Sequence, residues 1–178
     1  HLELSQSTGA IGKVGDVSDS VFATHANGER SVLSKGAAIY AGDSIQTPEG
    51  ASAGFTFADG TVLSLGEKGQ LTVSEFSYDP ATKEGTFAAD ISEGQFSFVS
   101  GNIAKTSVNA MSITTPVIKI GINGTKGAGK AGPEGSSNSV SLLPNADGSV
   151  GEMTVATRAG VVVVNAPGAT VAAANANL

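Results

Sequence analysis

Two histidines, no cysteine and a thin scatter of carboxylates are what this chain offers for acid–base, nucleophilic or metal chemistry. A zinc site or a Ser-His-Asp triad would draw its imidazole from His25, since His1 is terminal. His25 stands beside the Asn27-Gly28 turn with no second ligand at metal-site spacing, so it reads as an exposed loop residue. The lack of cysteine excludes thiol catalysis, thiolate metal sites and disulfides outright. Gly124 to Ala131, GTKGAGKA, follows a strand and nearly spells a phosphate-binding loop. Ala131, however, stands where Ser or Thr must reach magnesium, and the downstream GPEGSSNS does not open a helix, so the segment reads as a flexible loop.

The carboxylates are equally uncommitted. Asp16 and Asp19 come nearest to a calcium loop, but Asp16-Val17-Ser18-Asp19 lacks further ligands, and turn stabilisation is the expected role. Sugar chemistry would want aromatic platforms, and the chain has two Tyr and no Trp. Asn123-Gly124-Thr125 matches an N-glycosylation acceptor, a match read as incidental. The expectation is a protein that is not an enzyme, with no catalytic residues, no cofactor and no metal.

Net charge is −6 across 178 residues, and the ten basic residues are scattered singly. Nucleic acid needs clustered Lys and Arg, which argues against that partner. Charged residues make up only 15% of the chain, against about 25% in ordinary soluble domains. Few ions then need desolvating when another chain docks, which favours protein partners and, first among them, a second copy. No run of 18 apolar residues exists to span a bilayer as a helix. His1 in place of Met fits a processed, truncated or fused chain.

Positioning falls to strands. Turn signals such as Asn27-Gly28, Gly42-Asp43, Asp59-Gly60, Gly101-Asn102, Asn123-Gly124 and Asp147-Gly148 recur along the chain, and short alternating runs lie between them. These runs include Val14 to Thr24, Ala53 to Phe57, Thr61 to Leu65, Gln70 to Ser77, Gly85 to Ile91, Gln95 to Val99, Val117 to Ile122 and Met153 to Thr157. The prediction is an all-β fold with little or no helix, either a short-strand sandwich or a twisted solenoid-like stack. Around Asp59-Gly60 a three-residue loop opposes Phe57 to Thr61, Phe55 to Leu63 and Ala53 to Leu65, which makes one face apolar and places Gly60 in the left-handed region.

The last stretch, GVVVVNAPGATVAAANANL, carries no charge. Val161, Val162, Val163 and Val164 fit a central strand buried on both faces; they also fit an edge strand that adds to a neighbouring chain, with Val171 as a further contact. Val171 to Leu178 reads as coil or an extended strand. The length fits a single domain, residues 1–178.

The order G-x-F-S-F-V-S-G-x-I-A-K-T over Gly94 to Thr106, then I-T-T-P-V-x-x-I-G-I-x-G-T over Ile113 to Thr125, resembles the second half of FecR-like domains. Gly15, Val17, Asn27-Gly28, Leu33, Gly36, Ile39 to Ile45, Phe57 and Asp59-Gly60 fall in the order of the first half. The resemblance spans Gly9 to Thr125, with 126–178 as a C-terminal β extension and tail. Asn123 departs from the Arg that members often carry there. The resemblance implies an exported protein, periplasmic or at the cell surface. The lack of a catalytic constellation and the low charge make the leading expectation a non-catalytic structural or interaction module that self-associates or packs with envelope partners, such as a fibre or matrix subunit. Behind that reading the resemblance implies two alternatives: the periplasmic sensing domain of a sigma-regulator, then the N-terminal module of a large secreted adhesin.

Overall fold

The computed structural model describes residues 9–107, 109–157 and 159–174. The chain opens with β1 (Ala10–Ser18), β2 (Val21–Thr24), β3 (Arg30–Leu33), β4 (Ala38–Tyr40) and β5 (Ser44–Thr47). The hairpin β6 (Ser52–Phe57) and β7 (Val62–Leu65) follows, then the long strands β8 (Gly69–Asp79) and β9 (Glu84–Val99). A single 3-10 turn at Ile103–Lys105 leads to β10 (Met111–Thr114), β11 (Lys119–Asn123), β12 (Lys126–Ala131) and β13 (Asn138–Leu143). The described chain closes with β14 (Glu152–Thr157), β15 (Gly160–Val164) and β16 (Thr170–Ala173). The fold is all-β, as the alternation predicts, and its sixteen strands form one hydrogen-bonded network that does not close.

Strand β9 joins two layers. Its first half pairs with β8 and β10, while its second half pairs with β7 and β12, and Gly94 marks the change with φ 106°. One layer therefore runs β4-β1-β6-β7-β9-β12-β13-β16, and the other runs β3-β2-β5-β8-β9-β10-β11-β14-β15. The layers share one apolar core. Phe57 of the first layer meets Phe87 of the second edge-on at 4.8 Å between ring centres, and Phe76 packs on both.

The β6–β7 hairpin has the register that its sequence demands. Ala53 opposes Leu65 and Phe55 opposes Leu63, the Phe57 amide donates to the Thr61 carbonyl, and Gly60 takes φ 92°. Phe55, Phe57, Leu63 and Leu65 are all buried. At about 1.5–3 kcal/mol per side chain, the burial of these four contributes on the order of 6–12 kcal/mol against the cost of ordering the hairpin.

Three boundaries differ from the sequence reading. Asp19, at φ 67°, splits Val14 to Thr24 into β1 and β2. Two runs expected as separate strands fuse through Gly94 into β9, because each half finds partners in a different layer. GTKGAGKA is no flexible loop: Lys126 to Ala131 form β12, hydrogen-bonded between β9 and β13. The tail forms an extended strand through Ala173, while His1 and residues 175–178 lie outside the described residues.

Candidate functional site

At one end of its layer, β15 pairs with β14 alone among the described residues. This overturns the buried central-strand reading of Val161 to Val164: Val161, Val162 and Val163 are 65, 51 and 55% exposed, and only Val164, opposite Met153, is buried. Four apolar residues in a row signal burial when strands flank them on both sides. Here the chain instead turns away through 165–169 into β16 of the other layer, and no described strand pairs with the outer side of β15. Val171 sits in β16 opposite Val140 and is half-buried. Five linking residues, six steps from Val164 to Thr170, span at most about 22 Å, so both of these edges lie at the same end of the sandwich.

The hydrogen-bond directions on β15 follow from the ladder. The Thr115 amide donates to the Ile118 carbonyl, which makes that pair a bonded one and, by alternation, the Ile113–Ile120 pair as well. Gly121 then bonds toward Thr154 of β14, and Val155 bonds toward Val162. Gly160, Val162 and Val164 thus point their backbone groups inward, and Val161 and Val163 turn theirs to the open edge. Val162 shares the core-side face with buried Val155 and Val164, yet it stays half-exposed among the described residues.

His25 is a correction. It is not a free loop residue: Nδ1 lies 2.8 Å from Asp43 Oδ1, and Nε2 lies 2.5 Å from Ser31 Oγ. The order Ser31–His25–Asp43 is that of a hydrolase triad. Its surroundings are those of a turn brace: Asp43 is fully buried, its second oxygen accepts the Tyr40 amide, and Ser31 does not line the 360 Å³ hollow beside His25. The local sequence around His25 hid the contact, because Asp43 is 18 positions away. One signal was available: Asp43 shares alternation with Ile39 and Ile45, which places its carboxylate on the buried face, where it must find partners.

Asp59 follows the same rule, on the face of Phe55 and Phe57. Its carboxylate accepts the Thr61 amide, the Thr61 hydroxyl and the Ile103 amide, all buried. In β12, a Cβ on Gly127 would stand 2.7 Å from the Phe98 ring, and one on Gly129 would stand 2.6 Å from the Phe96 ring. The glycines that suggest a phosphate loop are clearance for two phenylalanines. Asp19 closes its own turn through the Ser20 amide, and Asp16 lines a trough of about 860 Å³ on the outer face of the first layer. Ser64, Ser97 and Ser141 floor that trough, with Lys130 as its other charged wall residue. Among the described residues no group of three or more His, Asp or Glu side chains is placed to hold a metal ion, and no buried side-chain nitrogen or oxygen lacks a partner.

Two crystal structures of a protein assigned as an anti-sigma factor from Parabacteroides distasonis ATCC 8503, at 1.65 and 2.50 Å, share the backbone arrangement with TM-scores of 0.57 and 0.56. Identity is 19 and 20%; each alignment covers 75% of this chain and 56 or 55% of the other, so this chain spans little more than half of those proteins. At that identity the likeness is one of fold. A structure described as a cell surface anchoring domain aligns with 34% of this chain and 80% of its own at 31% identity, with a TM-score of 0.33 that carries no fold argument. Among curated proteins none matches. The model of the family described as FecR protein matches residues 43–146, starting later than Gly9 and running past Thr125 into the extension. That match takes in the Asp43 brace, the Asp59 turn, the Gly94 bend and β12, and the chain belongs to the FecR protein family.

Proposed function

We propose that this chain is a non-catalytic protein-recognition domain working outside the cytoplasm, as the periplasmic sensing part of a sigma-regulator. Family membership and the fold shared with an anti-sigma factor support this reading. The observation that carries it is the β15 edge: three exposed valines on a strand with one neighbour among the described residues offer backbone pairing and apolar contact together. The polar clusters support a recognition role too, since the carboxylates of Asp43 and Asp59 are occupied in closing turns.

In the source bacterium, V161E/V163E on the chromosome should change transcription from promoters of the partnered sigma factor, while leaving the level of the protein unchanged. A fusion to alkaline phosphatase, which is active only after export, should be active. Unchanged transcription in both the variant and a full deletion would remove the signalling reading.

A second reading, a self-associating structural subunit of a fibre or matrix, is favoured by the chargeless end formed by β15 and β16. Residues 159–174 contain no charged side chain in a chain of net charge −6.

A further inference from the structure

We infer that the occupant of the β15 edge is the β15 strand of a second copy, paired antiparallel about a two-fold axis through Val162. This rests on the reading of β15 as a docking edge and adds its partner and register.

The ladder dictates the register. Outward backbone groups on Val161 and Val163 alone can bond across the edge, and a two-fold axis at Val162 sets Val161 of each copy opposite Val163 of the other. Each such pair exchanges both N–H···O=C bonds, so both outward residues of both strands are satisfied at once. Val162 meets its own counterpart in the non-bonded position, where side chains approach most closely. That contact covers the core-side valine that the fold leaves open. A shift by one residue would set outward groups against inward ones and forfeit the bonds.

Charge selects this end for the meeting of two copies. Like copies repel through their net charge of −6, and residues 159–174 are where two copies meet without bringing charged side chains together. The opposite ends of the layers are different. Strand β3 carries Arg30, stacked 4.3 Å from the Phe22 ring centre, and β4 has three residues, with the Tyr40 amide already bonded to Asp43. An incoming strand with charged residues would set them against valines on both faces. The contact is short, five residues a side, well below the roughly 1,200 Å² of a stable interface, so the dimer forms with rising concentration.

The chain has no cysteine, so a single introduced thiol reports one contact. In the proposed register V162C faces itself at a Cα separation of about 4.5 Å, within disulfide range. V32C, on the β3 edge and more exposed than Val162 at 66 against 51%, is the control. Under mild oxidation V162C should form a linked dimer at least about tenfold faster than V32C, because pairing raises the effective thiol concentration. Adding V161E/V163E should abolish the advantage, with an unchanged urea midpoint confirming the fold. V161C and V163C should link when mixed and much less readily alone. Light scattering should show mass rising from 17.6 kDa toward twice that with concentration.

Equal rates for V162C and V32C with a constant monomer mass would overturn the proposal, and V161C linking to itself faster than V162C would overturn the register. If V162C fails to link while V161E/V163E still alters sigma-dependent transcription, the edge docks a different protein: self-pairing fails and the docking reading stands. If V162C links but transcription is untouched, self-pairing stands and the signalling reading fails.

Discussion

Asp59 and Ile103 are 44 positions apart, and the Asp59 carboxylate accepts the Ile103 amide at 3.1 Å. The bond ties the β6–β7 turn to the crossover between β9 and β10, which run parallel and so need a connection that returns along the layer. The Asp59 carbonyl holds the same crossover through the Asn102 amide. Ile103 and Ala104 are thereby seated in the core.

Removing that carboxylate leaves the Thr61 and Ile103 amides buried without acceptors. D59A should cost about 3 kcal/mol, with each orphaned buried donor contributing about 1–3 kcal/mol less whatever relaxation recovers. Urea unfolding should show a lower midpoint at an unchanged slope. A loss under about 1 kcal/mol would mean that water replaces the carboxylate and that the crossover is held elsewhere.

The His25–Asp43 contact should behave as a brace. A double-mutant cycle of H25A and D43A should give a coupling of about 1–2 kcal/mol, since each single change strands the other partner. S31A should cost less than about 1 kcal/mol, because Ser31 is half-exposed and water can take its place at Nε2. Hydrolysis of an activated ester that disappears in S31A would reverse the assignment and make the three residues a working triad.

Local alternation made much of this fold legible. The β6–β7 register and the lack of long helices follow from two-residue periodicity and one bulge glycine, because those constraints act over a few positions. The Asp43 and Asp59 braces were half legible: alternation puts both carboxylates inside, but their partners come from other strands. The status of β15 was not legible. A run of valines looks alike in the middle of a sheet and at its rim, and which applies depends on whether a later strand returns beside it. Here β16 joins the opposite layer. The β12 glycines misled for a related reason, since a glycine required by a facing ring and one required by a phosphate look the same in one dimension.

Gly127 and Gly129 test that last point. G127A places a methyl group against the Phe98 ring and the Ser141 carbonyl, both at 2.7 Å, and overpacking of this kind costs about 1–3 kcal/mol. Reducing the ring with F98L should recover part of the loss in the G127A background, although F98L alone destabilises. K130A, on the exposed side of the same strand, should leave the urea midpoint nearly unchanged. A G127A protein as stable as the parent would show that the ring moves aside without cost.

The turn between β13 and β14 should respond to acid in a defined direction. Ser149 donates both its hydroxyl and its amide to Asp147 Oδ1, at 2.6 and 2.9 Å, and these bonds hold the carboxyl below its ordinary value, hydroxyl first. A carboxyl depressed in the folded state lends stability that is present above its unfolded value and is lost as pH falls through the folded one. Asp147 is fully exposed, so its effect should appear in its own titration and in the local turn. Carbon-detected NMR of the Asp147 carboxyl should show S149A moving its midpoint up toward an ordinary aspartate and S149T leaving it low. A midpoint unmoved by S149A would mean that the Ser149 hydroxyl does not set the proton affinity and that the amide bond, which the variant keeps, does. The Asn145 amide, donating to the Ser149 carbonyl at 2.7 Å, would hold the turn together with that amide bond.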